Sequence, residues 1–182
     1  MATRQQLIAS LALFFALGLM KGCDAAGTGS SVADAQTAES EGPEKATVTI
    51  SGEKFRLEVA LDDDTRYQGL SNRLDIPADG GMLFVFPDVQ QRSFVMRDCP
   101  NPIDIAFLDG SGRVVAIHQM QPEEPRGENE SAFAYEQRLK KWPSWFGAQF
   151  AVETAGGRLE AVGLKVGDQV RFDVEGLKAR AR

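Results

Sequence analysis

Histidine and cysteine are scarce in this sequence of 182 residues, which contains one His and two Cys. Because a tetrahedral zinc site needs more ligands of these types, Cys and His alone cannot build one, and a disulfide-rich scaffold is excluded as well. Basic residues are also fewer than acidic ones, 20 against 26, with a formal charge of -6. This deficit excludes a nucleic-acid binder that works through a broad basic face. We expect no metal and no cofactor.

The sequence begins with an apolar run that is too short for an ordinary membrane-spanning helix, which needs about 20 apolar residues. Residues 7–20 carry no charge and follow Arg4, as in a signal peptide. Gly22 and Cys23 come next and resemble a bacterial lipoprotein cleavage site, although Lys21 is unusual there. We therefore predict a signal peptide at 1–22, lipidation of Cys23 and an extracytoplasmic location at the cell envelope. A cleaved soluble form and an uncleaved anchor remain alternatives.

A tether is predicted between the signal peptide and the folded part. Residues 23–44 consist mainly of Ala, Gly, Ser, Thr and acidic residues, a composition that does not support a packed core. Removal of residues 1–22 leaves 18 basic and 26 acidic residues, a charge of -8. An anionic membrane surface would repel such a chain, so membrane attachment is expected through the lipid alone. The globular domain is predicted over 45–177.

The globular part shows the alternating pattern of half-buried strands. Phe55, Leu57 and Val59 share one face of the clearest strand, 54–61, and Ser51-Gly52 predicts a hairpin to the apolar residues before it. Further strands are expected at 82–86, 93–97, 103–108, 113–120, 149–154 and 169–175. Short helices are expected at 64–73, 131–142 and 158–162. The pattern predicts a mainly β fold (β-rich α+β), as a single small barrel or sandwich with two or three short helices.

Four ordered blocks of sequence carry a family resemblance: TRYQGLSNR at 65–73, GMLFVF at 81–86, FVMRDC at 94–99 and PIDIAFLD at 102–109. Their succession resembles the domain-of-unknown-function 192 family over about residues 46–174. This chain departs from the family pattern, which has Met, Trp, Asn and Thr where it has Ser71, Val95, Asp98 and Cys99. The resemblance implies a fold, and it brings no established activity with it.

Two arginines of the first block are candidate ligand-binding residues. Arg66 and Arg73 are seven positions apart, which places them on one face of the predicted helix. Their guanidinium groups could hold a small anionic or sugar-like ligand. The structural alternative, which we favour, is that Arg66 pairs with Asp62 or Asp63 and that Arg73 pairs with Asp75.

A second group of polar residues flanks the tight turn at 99–102. Arg97, Asp98 and Asp104 could converge at the mouth of a barrel, where ligands usually bind, or could cap strand ends instead. A site that joins Arg66, Arg73, Arg97 and Asp104 is the sharpest hypothesis that the sequence offers.

Other chemistry has weaker support. Cys99 would need a base for nucleophilic catalysis, and His118 is the only imidazole, so a buried inert thiol is the favoured interpretation. His118 and Met120 point the same way on a strand and could bind Cu(I), although such residues more often only pack. Asp104 and Glu153 could form a glycosidase pair only if the fold brings them together.

These observations favour an envelope binding or interaction module. Its expected partners are a small anionic or sugar-like ligand or an envelope protein, with a lipid anchor in the membrane and no nucleic acid. An envelope-directed enzyme that acts on polysaccharide is the main alternative, and a structural or metal-handling role is a minor one. The sequence assigns no catalytic residue.

Overall fold

The computed structural model describes residues 42–182, so the predicted signal peptide, Cys23 and most of the predicted tether lie outside the described residues. Six strands are present: β1 (Lys45–Ile50), β2 (Glu53–Ala60), β3 (Met82–Phe94), β4 (Ile103–Leu108), β5 (Val114–Met120) and β6 (Trp142–Ala155). Four short helices accompany them: α1 (Asp63–Gln68), α2 (Ala132–Arg138), α3 (Arg158–Ala161) and α4 (Val174–Lys178).

The strands form one mixed sheet in the order β1-β2-β3-β6-β4-β5. The β2–β3 pair is parallel, and the other neighbouring pairs are antiparallel. The predicted β-rich α+β class is confirmed. The expected barrel or sandwich is wrong, because the edge strands β1 and β5 do not pair with each other and the sheet stays open. Helices and loops cover its two faces instead.

Two hairpins are present, and the one predicted at Ser51-Gly52 is confirmed. Ser51 and Gly52 have positive φ angles of 49° and 90°, the geometry of a tight turn between twisted antiparallel strands, and they join β1 to β2. The β4–β5 hairpin turns at Asp109, whose carboxylate accepts hydrogen bonds from the backbone N–H groups of Ser111 and Arg113 at 2.7 and 3.0 Å. A short acidic side chain thereby satisfies the turn backbone.

Two helices are shorter than predicted. Asp62 caps α1 by accepting a hydrogen bond from Thr65 N–H at 2.9 Å, but the helix ends before Gly69, which has a φ of 51°. The chain turns there, so Arg73 does not lie on the helix. The expected helix 131–142 ends at Arg138 because Leu139 is extended and the following residues join β6.

The strand predictions differ at two places. The expected strand 82–86 continues through Pro87 as one long strand, β3, which has register shifts on both sides of Gln90 and ends at Phe94. Of the expected strand 93–97, only the first two residues are therefore in a strand. The expected strand 169–175 makes only isolated bridges, Thr49 with Arg171 and Arg113 with Gln169, and its last two residues belong to α4. Its alternating apolar residues pack on the core, but its backbone does not form continuous hydrogen-bonded pairing with a strand.

The sheet separates two apolar clusters because successive side chains of a strand point to opposite faces. The first cluster receives the side chains of α3, α4 and the segment between them; its members include Leu57, Leu83, Phe150, Leu159, Val170 and Leu177. The second lies under α1 and the loops after it and after β3; its members include Leu70, Phe84, Met96, Cys99, Ile105 and Phe107. The candidate site opens on the second face.

Candidate functional site

A cavity of about 680 Å³ opens on the second face of the sheet. Its walls come from α1 and the turn that follows, from β3, from the loop after β3, and from one residue of β6. The Phe84, Phe86 and Phe94 rings line it, and Phe94 packs edge-on against the other two with ring centres 4.9 and 6.4 Å apart. This volume falls within the range of small-molecule sites, about 300 to 1,000 Å³.

Glu153 is the β6 residue on the cavity wall. The residues paired with it in the neighbouring strands are Met82 of β3 and Ile105 of β4, both buried and apolar. Its side chain is 5% exposed, and no donor among residues 42–182 hydrogen-bonds its carboxyl. Burial disfavours the charged form and raises the pKa of Glu153 to about 8. At neutral pH the carboxyl of Glu153 is therefore mainly protonated, and no described residue hydrogen-bonds it on the cavity wall.

Cys99 lines the same cavity. The pKa of its thiol is raised to about 12, mainly by burial and to a smaller extent by the nearby Glu153. The Sγ atom donates a hydrogen bond to the carbonyl oxygen of Arg97 at 3.3 Å. A thiol with this pKa supplies almost no thiolate, so the geometry supports an inert side chain. His118 does not serve as its base: the imidazole Nε2 contacts the carbonyl oxygen of Pro143 at 2.7 Å.

Arg66, Arg92 and Arg97 are the cationic side chains on the cavity wall. Arg66 donates to the Val85 carbonyl oxygen and to Asp63, both at 2.7 Å, and its side chain is only 8% exposed. It thus ties α1 to β3. The predicted pairing of Arg66 with Asp63 is confirmed.

The other two guanidinium groups are also occupied. Arg92 pairs with Asp88 and lies 4.2 Å from the centre of the Phe86 ring. Arg97 pairs with Glu136 and lies 3.8 Å from the centre of the Tyr67 ring. Each arginine therefore has an acidic partner and an aromatic neighbour before any ligand arrives.

Three predicted site residues, Arg73, Asp98 and Asp104, do not line this cavity. Arg73 forms a two-pronged pair with Glu58, at 2.8 and 2.5 Å, so the expected pairing with Asp75 is wrong because the chain has turned toward β2. Asp98 lies in a left-handed turn with φ 51°, accepts from the Tyr135 hydroxyl at 3.1 Å, and lines a separate cavity of about 430 Å³ together with Arg97.

Asp104 lies on the opposite face of the sheet. Its carboxylate accepts hydrogen bonds from the backbone N–H groups of Gly157 and Leu159, both at 2.9 Å, and so caps α3. The hypothesis of one site that joins Arg66, Arg73, Arg97 and Asp104 is not realised: only Arg66 and Arg97 share the cavity. Asp104 and Glu153 do not form the glycosidase pair considered above, because their side chains lie on opposite faces of the sheet.

The two residues considered for copper point the same way, as expected. Met120 is fully buried, and His118 packs against Trp142 with ring centres 5.5 Å apart while its Nε2 contacts Pro143. Within residues 42–182, no group of three or more His, Cys, Asp or Glu side chains is arranged to hold a metal ion.

The family assignment follows from the comparisons with known proteins. The model of the domain-of-unknown-function 192 family (DUF192, "Uncharacterized ACR") matches residues 46–172. The chain belongs to this family. No curated protein matches the sequence. In the described part of this DUF192 member, no helix has the length and apolar character needed to cross a membrane.

Two solved structures resemble the fold. One is a protein from Sinorhizobium meliloti 1021 described as a candidate transcription regulator, with a TM-score of 0.59 and 25% identity over 72% of this chain and 96% of that one. The other is a protein of unknown function from Novosphingobium aromaticivorans DSM 12444, with a TM-score of 0.57 and 26% identity over 70% and 83% of the two chains.

The departures from the DUF192 pattern concentrate at the cavity. Ser71, Val95 and Cys99, three of the positions at which the sequence analysis found a departure, all line it. The fold therefore brings these positions together on the wall of one cavity.

Proposed function

We propose that this DUF192 protein is a binding module that takes up a small molecule in the cavity beside Glu153 and that it works at the cell envelope. The observation that carries the proposal is a buried carboxyl without a protein partner on the wall of a cavity of about 680 Å³. A buried polar group normally has a hydrogen-bond partner, so the missing one points to a ligand.

The paired arginines support binding rather than catalysis. They fix the walls of the cavity through contacts with Asp63, Asp88 and Glu136, which gives a preformed site. The enzyme alternative gains from the raised pKa of Glu153, which suits a general acid, but Asp104 is on the other face of the sheet. The excess of acidic residues also argues against a DNA-binding role, which the description of the Sinorhizobium protein would suggest.

A cavity-filling substitution tests the binding proposal. In a thermal-shift screen of sugars, anions and amines, at least one compound should raise the melting temperature of the wild type and leave that of Val95→Trp unchanged, because the indole fills the cavity. Val166→Trp is the control, since Val166 is exposed and lies outside the cavity. A compound that stabilises all three proteins equally, or no active compound in the three classes, would contradict the proposal.

The envelope location rests on the signal-peptide pattern and on Cys23, and we propose a lipid anchor there. A Cys23→Ala variant should leave the membrane fraction of the cell, because the thiol that accepts the lipid is gone. Fractionation followed by immunoblotting measures this, and Cys99→Ala is the matched control. An unchanged distribution of the Cys23 variant would overturn the anchor and leave the binding proposal intact.

A further inference from the structure

The cavity wall carries three cationic side chains, all of them paired, and one buried acid, Glu153, that no described residue hydrogen-bonds. The guanidinium groups there each have an acidic partner, in the pairs Arg66–Asp63, Arg92–Asp88 and Arg97–Glu136. The remaining acid, Asp64, is exposed to solvent at the rim. An incoming anion would therefore meet no free cation on this wall. What the wall offers is an unpaired carboxyl.

The elements packed against Glu153 provide no counter-charge. The residues paired with it in β3 and β4 are Met82 and Ile105, and the loop after β3 contributes the Cys99 thiol. The charged groups elsewhere on the wall are those of α1, β3 and the same loop: Asp63, Asp64, Arg66, Arg92 and Arg97. None of them hydrogen-bonds the carboxyl, and burial alone accounts for its raised pKa. A cation would have to come from a ligand.

The aromatic lining suits such a ligand. Phe84, Phe86 and Phe94 present rings to the cavity, and the faces of aromatic rings attract organic cations. The wall already uses this interaction, because the Arg92 guanidinium lies over Phe86 and the Arg97 guanidinium over Tyr67. Apolar parts of a ligand would displace water from the same rings.

We propose that the cavity binds an organic ammonium ion, with the ammonium group against the carboxylate of Glu153 and the apolar part of the molecule against the phenylalanine rings. This inference rests on the proposed function and specifies the ligand class of the same site. A neutral sugar could hydrogen-bond the protonated carboxyl but would supply no counter-charge to the carboxylate, and an anion would find only arginines that are already paired. Of these classes, the ammonium ion is the one that brings a cation to the carboxyl.

Binding releases a proton. In the free protein the carboxyl of Glu153 carries a proton below a pKa of about 8, and the ammonium ion requires the carboxylate. The O–H bond of Glu153 breaks, the proton goes to solvent, and the ligand keeps its own proton. The apparent affinity should therefore rise about tenfold per pH unit up to about pH 8 and level off above it.

Calorimetry on the full-length protein with 2-phenylethylamine tests the proposal. We expect binding that is more than about tenfold tighter at pH 8 than at pH 6, and that is weaker by a similar factor for the uncharged analogue 2-phenylethanol. Glu153→Gln should lose the preference for the amine and the pH dependence. Glu128→Gln removes the same charge at an exposed position outside the cavity and should behave as the wild type.

The outcomes separate the two proposals. Equal affinity for the amine and the alcohol, amine binding that Glu153→Gln leaves unchanged, or no amine binding at all would overturn the ammonium assignment. The binding module itself would survive these results if another compound shows the Val95→Trp-sensitive stabilisation described above. Circular dichroism of Glu153→Gln establishes that its loss of binding is not a loss of fold, and the removal of a buried acid is expected to preserve the fold.

Discussion

Asp104 and Glu153 are two buried carboxyls on neighbouring strands, β4 and β6, and they point to opposite faces of one sheet. Their exposures are 1% and 5%. Asp104 is paired across the strands with Thr154, and Glu153 with Ile105, so the alternation of side chains separates the two acids. Burial is thus nearly the same for both, but the surroundings are not.

The difference lies in the number of donors. Asp104 accepts hydrogen bonds from the N–H groups of Gly157 and Leu159 at the start of α3, so it satisfies groups that the helix leaves free. Glu153 receives none from the described residues and borders open volume. A buried acid with converging backbone donors indicates a structural role, whereas one without donors on a cavity wall indicates a ligand. Burial alone would not distinguish them.

The largest effect expected from this contrast is the pH dependence of stability at Glu153. Its carboxyl has a pKa of about 8 in the folded protein and an ordinary value of 4.5 when unfolded. Between these values the folded state binds a proton that the unfolded state does not, so the free energy of unfolding falls as pH rises. Below 4.5 both states are protonated and the stabilising contribution is complete; above 8 it is lost.

Urea unfolding at a series of pH values measures this effect. Relative to the wild type, Glu153→Gln should gain about 1.4 kcal/mol per pH unit between pH 4.5 and 8, a total on the order of 5 kcal/mol. The exposed Glu128→Gln should follow the wild type at every pH. Parallel curves for the wild type and Glu153→Gln would show that folding does not raise the pKa of Glu153 and would remove the contrast with Asp104.

Much of the sheet could be predicted from the sequence, because local alternation reflects which side of a strand is buried. The strand expected at 54–61 is β2 at Glu53–Ala60, and the one expected at 103–108 is β4. The first half of β6 was missed, because the sequence predicted a helix that reaches residue 142 and a strand that starts only at residue 149. There the chain pairs with β3 across register shifts, a long-range contact that no local pattern reveals.

The site was only partly predictable, because it also depends on contacts between residues that are far apart in the sequence. The motif identified Arg66 and Arg97, which do line the cavity. Glu153 was considered only as a partner of Asp104, although it is the one acid in the otherwise apolar and polar uncharged stretch 149–154. A single acid in such a stretch indicates that the acid is buried. The face on which it lies depends on the β4–β6 register, and the absence of donors depends on the loops that the fold brings together.

A smaller effect is expected at Asp104, and it tests the structural half of the contrast. Asp104→Ala leaves two backbone N–H groups without their acceptor, one of them in a buried hydrogen bond. A buried donor without a partner costs about 1 to 3 kcal/mol, so we expect a loss of about 3 kcal/mol in the free energy of unfolding at pH 7. Urea unfolding measures the loss.

Asp173→Ala is the matched control, because Asp173 also caps a helix but does so at an exposed site, where it accepts from Gly176 N–H at 3.0 Å. An N-cap of this kind contributes about 1 kcal/mol, so the Asp173 variant should lose less stability than the Asp104 variant. The folded Asp104→Ala protein should still bind every ligand of the cavity, since the two lie on opposite faces of the sheet. Equal losses in the two variants would contradict the structural role assigned to Asp104. Loss of ligand binding in a folded Asp104 variant would mean that Asp104 belongs to the site.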